Sequence, residues 1–253
     1  MKGNKAKIIS LVNLKGGVGK TTTAQNLGSE LFNQGERVLF IDLDIQKNLS
    51  FVLKASGEYS SIYEVLKGED INKAIQKTEQ GDLIQGDVRL TTLQDIPTGS
   101  LKKALDPVLN KYDYIIMDTP PRIDNIIINS LIASNEVIIP CNTEVFSIQG
   151  IITENDLIQN IRRNGNQDLK INGILITNYE QRGILNKQLK EGIEQQAQRL
   201  GIRVYKTPIR KNIAIKKAQA MRKSVLEYDP KSNGSEDYKN FVKEFKENER
   251  KEN

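Results

Sequence analysis

The sequence predicts an α/β fold: a doubly wound, mostly parallel sheet with helices on both faces. Three mainly apolar runs favour this fold, because each has the length of a buried strand and each leads into polar residues. Residues 8–12 lead into a glycine-rich loop, residues 37–41 into two aspartates, and residues 112–117 into a third aspartate. Helix-like segments separate the runs, and that order favours right-handed parallel crossovers. Functional side chains are then expected at the carboxyl edge of the sheet.

The first unit joins a strand, a loop and a helix. Lys7–Val12 has the composition of a buried strand, and residues 21–32 carry apolar side chains on one helical stripe. Glycines between them let backbone N–H groups approach phosphate oxygens, and the N-terminus of the helix adds partial positive charge. The unit therefore predicts a phosphate-binding loop, which comprises Asn13-Leu14-Lys15-Gly16-Gly17-Val18-Gly19-Lys20-Thr21-Thr22.

The loop fits the general phosphate-loop pattern except at its first position. The pattern G-x-x-x-x-G-K-[ST] places glycine where this chain has Leu14, and Lys15 follows as a second lysine. Lys20 is expected to reach the β- and γ-phosphates of a nucleotide, and the Thr21 hydroxyl to join a Mg²⁺ shell. The alternative is a flexible glycine turn with two solvated lysines, which the strand–loop–helix context disfavours.

Carboxylates end the next two predicted strands. Asp42 and Asp44 close the second run, and Asp118 closes the third before a Thr-Pro-Pro segment. Acids placed beside a phosphate loop can join a Mg²⁺ shell or orient water near a terminal phosphate. The alternatives are a strand end capped by exposed acids and, at Asp118, a strand stopped by prolines.

The remaining segments alternate between helix and strand patterns. Helices are predicted over residues 51–77, 101–109, 126–133, 146–163, 185–200 and 235–246. Strands are predicted over residues 82–85, 136–140, 169–177 and 204–208, the last of which closes the sheet. Because no repeat or linker interrupts this pattern, residues 1–253 are predicted to form a single domain. The charged tail, residues 247–253, is expected to fray.

Composition limits the chemistry that this chain can perform. It has 253 residues and no histidine, which excludes histidine-based acid–base, nucleophilic and metal chemistry. One cysteine, Cys141, allows neither an internal disulfide nor a cysteine metal cluster. No run approaches the roughly 18 apolar residues of a membrane span, and the first residues lack a signal-peptide apolar region. A cytoplasmic protein is therefore expected.

Positive charge is concentrated late in the chain. The net charge is +5, and residues 195–226 carry nine basic residues and no acid, which leaves the rest of the chain net negative. Such a concentration is typical of a surface that binds a polyanion. The alternative is an ordinary solvated surface rich in lysine.

Four sequence motifs resemble those of the deviant Walker A (ParA/MinD) family and occur in the same order as in that family. Within it, the chain is similar to the ParA/Soj-type partition ATPases. The motifs are the Lys-Gly-Gly-x-Gly-Lys-Thr loop from Lys15, the double-aspartate segment 42–50, Asp-Thr-Pro-Pro at 118–121 and Tyr-Asp-Pro at 228–230. The resemblance covers nearly the whole chain. It implies a P-loop NTPase fold and weak Mg²⁺-dependent hydrolysis of ATP to ADP and phosphate.

The resemblance also assigns roles to residues of the loop and the strand ends. Lys15 is expected to reach the partner's phosphates across an ATP-dependent homodimer, and Asp44 to position the attacking water. With Lys20 these are the catalytic candidates, and the metal-site candidates are Thr21, Asp42 and Asp118. Asn178 is either an adenine contact or a turn asparagine. The ATP-binding candidates are Lys15, Gly16, Gly17, Val18, Gly19, Lys20, Thr21, Thr22, Asn178, Thr207 and Pro208.

The expected partners are non-specific DNA and a centromere-binding, ParB-type adaptor that stimulates hydrolysis. Phosphate contacts alone give DNA binding that is independent of sequence and sensitive to salt. A nucleoid-associated partition ATPase is therefore expected, without the N-terminal DNA-reading domain of larger relatives, because few residues precede the first strand. The candidate DNA contacts are Arg182, Arg210, Lys211, Lys216 and Lys217.

A MinD-like, membrane-associated positioning ATPase is the main alternative. It requires a C-terminal amphipathic helix with a basic and an apolar face. Residues 236–253 carry six acids and five bases around aromatic residues, which favours packing, and no membrane partner is expected. A nitrogenase-type reductase would need bridging cysteines, and a tyrosine-kinase relative a C-terminal tyrosine cluster. A further alternative is a scaffold protein that binds ATP without cleaving it.

Overall fold

The computed structural model describes residues 5–252, which build one seven-stranded sheet covered by helices. The strands are β1 (Lys7–Leu11), β2 (Val38–Asp42), β3 (Ile75–Thr78), β4 (Gly81–Ile84), β5 (Tyr114–Asp118), β6 (Glu136–Asn142) and β7 (Lys170–Thr177). Their order across the sheet is β3-β4-β2-β5-β1-β6-β7. Neighbouring strands are parallel except β3 and β4, which pair antiparallel. The predicted mostly parallel sheet is confirmed.

Helices connect the strands and cover the sheet. The α-helices of the described chain are α1 (Lys20–Asn33), α2 (Asn48–Val52), α3 (Ile62–Leu66), α4 (Ser100–Leu105), α5 (Asn125–Ala133), α6 (Ser147–Asn164), α7 (Ile184–Arg199), α8 (Ile213–Ala220), α9 (Val225–Tyr228) and α10 (Asn233–Glu252). Short 3-10 turns occupy Ile71–Lys73, Val88–Thr92 and Asp106–Val108. The crossovers leave the carboxyl ends of the parallel strands at one edge of the sheet.

Alternation along the central strands places the core on both faces of the sheet. In β2, Val38 and Phe40 pack with residues of α1 and α10, whereas Leu39 and Ile41 pack with residues of α3 and α4. The close approach of α1 depends on Gly28, since a Cβ there would lie 2.2 Å from the Phe40 ring. The doubly wound arrangement is therefore confirmed, and it fixes α1 and the loop before it against the sheet.

Helix α10 packs its apolar side chains into the core. Tyr238, Phe241 and Phe245 are buried, and the Phe241 ring meets Tyr205 edge-on at a centroid distance of 4.7 Å. Such aromatic pairs add to the free energy gained by burial. Within residues 5–252, no helix is both long enough and apolar enough to cross a membrane.

The C-terminal tail differs from its prediction. Residues 247–253 were expected to fray, but α10 continues to Glu252, and residue 253 lies outside the described residues. Glu249 explains the longer helix, because its carboxylate accepts a hydrogen bond from the Tyr114 hydroxyl at 2.8 Å and pairs with Lys7 at 2.9 Å. The mixed charges of the tail thus include contacts that hold it to the sheet.

The predicted helical segment 51–77 is wrong in part. Gly57 and Gly68 adopt φ values of 78° and 102°, a left-handed region that interrupts helices. The chain forms only short helices here, and Ile75–Thr78 pairs with β4 as an antiparallel edge strand. Apolar spacing alone did not separate a short edge strand from a helix end.

The segment 204–208 follows the free edge of β7 without forming a regular strand. Tyr205 donates its N–H to the Ile174 carbonyl at 2.9 Å, and Ile209 donates to the Ile176 carbonyl at 2.8 Å. Pro208 lies between these bonds and has no N–H to donate, which interrupts the ladder. The segment extends the sheet as predicted, but through isolated bonds.

Candidate nucleotide site

A cleft of about 960 Å³ opens at the carboxyl edge of the sheet. Its wall is built from residues that follow β1, β2, β5, β6 and β7, together with one face of α8. The phosphate-loop residues on this wall are Gly16, Gly17, Gly19, Lys20, Thr21 and Thr22. Such a cleft at the carboxyl ends of parallel strands is where α/β proteins bind nucleotides.

The loop owes its shape to two glycines. Gly17 and Gly19 have φ values of 77° and 89°, which L-residues with side chains rarely adopt. Gly19 is the N-cap of α1, and among residues 5–252 no side chain caps the first N–H groups of that helix. Uncapped N–H groups beside the cleft can bind phosphate oxygens.

Lys20 lies inside the loop rather than in solvent. Its ammonium donates to the Asn13 carbonyl at 2.8 Å and to the Lys15 carbonyl at 3.3 Å. Burial lowers the pKa of Lys20, although Asp118 and Asp44 oppose the shift. A phosphate group would restore a charged partner to this ammonium.

Lys15 does not line the cleft; it is about half exposed at the mouth, beside Glu144, which does line it. Its ammonium pairs with the Glu144 carboxylate, and its N–H donates to the Asn13 side chain at 2.8 Å. The hydrogen bond from Lys15 is the main cause that lowers the pKa of Glu144. The second loop lysine thus contacts the loop between β6 and α6 of its own chain.

Thr21 and Asp118 form an oxygen-rich pair suited to a magnesium ion. The Thr21 hydroxyl donates to Asp118 Oδ2 at 2.6 Å, and Asp118 Oδ1 is buried without a partner among the described residues. Burial, followed by the charge of Asp42, raises the pKa of Asp118 to about 8. Mg²⁺ prefers hard oxygen ligands and compensates a buried carboxylate, so these residues fit the ion.

The two aspartates after β2 have different surroundings. Asp42 is buried and does not line the cleft; its Oδ2 accepts from the Ser50 N–H and the Ser50 hydroxyl, both at 2.7 Å. Burial raises the pKa of Asp42 to about 6. Asp44 lines the cleft, and its Oδ1 accepts from the Gln46 N–H at 3.0 Å. Asp42 therefore holds the turn, while Asp44 faces the ligand space.

The opposite end of the cleft is formed by residues that follow β7. Asn178 lines it in a left-handed conformation, with a φ of 50°. Thr207 and Pro208 do not line the cleft, whereas Ile209 does. Val18 is also buried behind the loop, where its carbonyl accepts from the Thr177 hydroxyl at 2.7 Å. The residue that forms this part of the cleft wall is therefore Ile209, which directly follows the predicted Thr-Pro pair.

Comparison with known proteins identifies the family of this site. Residues 6–171 match a family model described as an AAA domain. The sporulation initiation inhibitor protein Soj of Bacillus subtilis (strain 168) is 37% identical over 250 residues, which cover 94% of this chain and 97% of Soj. The chromosome partitioning protein ParA of Caulobacter vibrioides (strain NA1000 / CB15N) is 33% identical, covering 96% and 95%. The chain belongs to the Soj/ParA family of ATPases.

A solved structure relates the family fold to nucleotide and metal. The cobyrinic acid a,c-diamide synthase from Mycobacterium smegmatis, crystallised with an ATP analog and magnesium, has a TM-score of 0.80 and 28% identity. The match covers 94% of this chain and 93% of that one. The Soj/ParA family confirms the predicted ATPase activity. The ATP analog and magnesium of the synthase are the same ligands that the sequence predicts for this cleft.

The basic residues predicted for DNA contact do not form one continuous surface of unpaired, exposed side chains in this member of the Soj/ParA family. Arg210 pairs with Asp237 and Glu236 of α10, and Lys211 pairs with Glu180. Lys216 lines the nucleotide cleft, as Lys211 also does. The two predicted residues that are exposed and away from the cleft are Arg182 and Lys217.

Sequence reasoning missed Glu154, a buried acid that supports the loop. Its Oε1 accepts from the Leu14 N–H at 3.1 Å, and its Oε2 is buried without a partner in the described part of the chain. Burial raises the pKa of Glu154 to about 8. An acid in the middle of α6, a helix that covers the sheet, was the signal available in the sequence.

Glu154 predicts a pH dependence of stability. Its pKa is about 8 in the folded protein and 4.5 ordinarily, so between these values the folded state binds more protons than the unfolded state. The free energy of unfolding should therefore fall as pH rises from about 4.5 to about 8, by up to about 1.4 kcal/mol per pH unit. Glu154→Gln should remove this contribution in urea denaturation measured across that range. Glu191→Gln, at an exposed glutamate of α7, is the control and should keep the wild-type slope.

Proposed function

We propose that this chain is a DNA partition ATPase that dimerises on ATP, binds DNA without sequence specificity and is stimulated by a ParB-type partner. The observation that carries the proposal is the pair of loop lysines. Lys20 occupies the loop, whereas Lys15 stands half-exposed at the cleft mouth with only Glu144 as its ionic partner in the described chain. A lysine so placed can serve a phosphate group that enters from outside its own loop.

The hydrolysis mechanism follows from positioning and charge. Lys20 and the α1 N-terminus bind the phosphate chain, and Thr21 and Asp118 would hold a magnesium ion. When bound, the ion would supply positive charge beside the phosphate oxygens. Asp44 orients the attacking water, and the buried Asp42 fixes the turn that carries Asp44. Hydrolysis by the chain alone is expected to be slow, as in phosphoryl-transfer enzymes that are accelerated when a partner supplies a charge-stabilising group.

Exposed apolar residues around the cleft mouth support the dimer. Val145 and Phe146 follow Glu144, and Ile184 and Leu185 begin α7; all four side chains are more than half exposed. The Thr143 hydroxyl donates a hydrogen bond to the Asn186 amide oxygen at 3.3 Å, which links the segment before α6 to the start of α7. Covering this rim with a second copy would remove apolar surface from water and turn Lys15 toward the partner's nucleotide.

The basic character of the late segment supports DNA as the polyanion. Arg182 and Lys217 are exposed, and a two-fold dimer would double their number on one assembly. A membrane role has less support, because the apolar side chains Tyr238, Phe241 and Phe245 of α10 are buried in the core. A nucleoid-associated ATPase follows from the DNA interpretation.

Binding to an unrelated DNA duplex, measured with ATP, with ADP and without nucleotide, tests this proposal. We expect binding with ATP that weakens about 10²-fold between about 50 and 200 mM salt. An Arg182→Ala/Lys217→Ala variant should lose most of this binding while it keeps its nucleotide affinity. The absence of DNA binding in every nucleotide state would overturn the proposal. Flotation with anionic liposomes in the same samples would then reveal a membrane partner.

A further inference from the structure

Helix α8 presents one lysine to the nucleotide cleft and the next lysine to solvent. Lys216 lines the cleft together with Ile215, Gln219 and Ala220, which recur on one face at helical spacing. Lys217 is rotated by about 100° around the helix and does not line the cleft. The two lysines therefore face different ligands although they are adjacent in sequence.

Hydrogen bonds hold this face of α8 against the phosphate-binding helix. The Gln219 amide donates to the Thr22 hydroxyl at 2.8 Å, and Thr22 belongs to the first turn of α1. After α8, the Val225 N–H donates to the Asn26 side chain at 2.9 Å. Lys216 lies one turn before Gln219, about 4.5 Å along the axis, on the same face. Its side chain is thus within reach of the space in front of the α1 N-terminus.

The charge of Lys216 has no partner within the described residues, in contrast to its neighbours on the cleft wall. Lys211 pairs with Glu180, and Lys20 bonds to loop carbonyls. An unpaired ammonium on the wall of a phosphate-binding cleft is a ready donor for an anion. The anion that this cleft takes is the phosphate chain of the nucleotide.

We propose that Lys216 is a nucleotide-binding residue that contacts the phosphate chain, and not a DNA contact. The proposal rests on the nucleotide site described above and does not require DNA binding. It adds α8, a segment outside the phosphate loop, to the residues that bind nucleotide. It also assigns different ligands to two adjacent basic residues: Lys216 faces the nucleotide in the cleft, and Lys217 faces solvent.

Matched variants, Lys216→Gln and Lys217→Gln, test the proposal with a fluorescent ADP analogue and Mg²⁺. ADP is the probe because it reports binding without hydrolysis. We expect Lys216→Gln to weaken ADP binding by about 5- to 20-fold, and Lys217→Gln to change it by less than about twofold. Lys216→Arg should retain most of the affinity. Adenosine, which lacks phosphates, should bind the wild type and Lys216→Gln equally.

Three results would overturn the proposal, provided that urea denaturation shows both variants to be folded. The first is wild-type ADP affinity in Lys216→Gln. The second is an equal loss in both variants, which would indicate a general effect of charge. The third is weaker DNA binding by Lys216→Gln in saturating ATP with unchanged ADP affinity, which would return Lys216 to the DNA surface. If the wild type binds ADP but never DNA, the partition proposal fails while this one stands.

Discussion

Asp44→Ala is expected to lower the rate of ATP hydrolysis by about 10²- to 10³-fold while ATP still binds. Asp44 lines the cleft, and its carboxylate can hold a water molecule near the terminal phosphate. Lys20, Thr21 and Asp118 are unchanged in this variant, so the contacts to phosphate and metal remain. Phosphate release at saturating ATP, together with an ATP-binding titration, measures both parts of the expectation.

Asp44→Asn separates a catalytic role from a structural one. Asp44 Oδ1 accepts the Gln46 N–H at 3.0 Å, and an asparagine oxygen can keep that bond and therefore the turn. We expect Asp44→Asn to lose hydrolysis almost as completely as Asp44→Ala, because the negative charge is gone. Full activity in Asp44→Asn would assign Asp44 to the turn alone and contradict its proposed role.

Blocked hydrolysis should also trap the dimer. With ATP, Asp44→Ala is expected to have the mass of two chains in light scattering, and with ADP the mass of one. Adding Phe146→Glu should return it to one chain, because Phe146 is 77% exposed in the apolar rim next to Glu144. Control Val88→Glu, at an exposed apolar residue of a 3-10 turn away from the cleft, should stay dimeric. A monomeric Asp44→Ala in saturating ATP would contradict the proposed dimer.

That the candidate phosphate and metal residues lie close together could be predicted from sequence, because strand order brings them to one edge of the sheet. β1 and β5 are neighbours, with Leu11 paired to Asp118, so the loop after one strand meets the acid that ends the other. Thr21 and Asp118 are 97 residues apart, yet their side chains are 2.6 Å from each other. Apolar runs that end in polar residues carry this information, since parallel strands share one carboxyl edge.

The different surroundings of Asp42, which is buried, and Asp44, which lines the cleft, could not be predicted in the same way. Both follow the same run, but Asp42 is the last residue of β2 and Asp44 lies in the turn beyond it. Ser50, eight residues after Asp42, donates its N–H and its hydroxyl to the Asp42 carboxylate. The Asp42 carboxylate is therefore buried, whereas the Asp44 carboxylate faces the cleft. Such a choice depends on tertiary packing, which a local pattern does not contain.

The charge pattern in the late segment did not show which of its basic residues are paired, for a related reason. A run of basic residues without acids in sequence can meet acids from a distant helix, as Arg210 meets Asp237 of α10. Counting charges along the chain therefore overstated the free cationic surface. Burial and pairing, rather than sequence position, decide which of these residues are free to contact a polyanion.

Arg210→Ala is expected to lower the free energy of unfolding by about 2–3 kcal/mol. The guanidinium donates through Nε and Nη2 to both oxygens of Asp237, at distances of 2.6 to 3.0 Å. The Asp237 side chain is only 4% exposed, so truncating Arg210 leaves a buried carboxylate with the Arg210 N–H as its remaining donor. Urea denaturation at neutral pH measures the loss.

Variants that separate the ion pair from DNA contact make the prediction specific. Arg182→Ala removes an exposed arginine and should leave the stability within about 0.5 kcal/mol of the wild type. Adding Asp237→Asn to Arg210→Ala should recover part of the loss, because the unpaired charge is then gone. Folded Arg210→Ala, assayed well below its unfolding midpoint, should bind DNA as the wild type does. Wild-type stability combined with weakened DNA binding would show that Arg210 leaves Asp237 to contact DNA, and that the basic run predicted from sequence had identified it correctly.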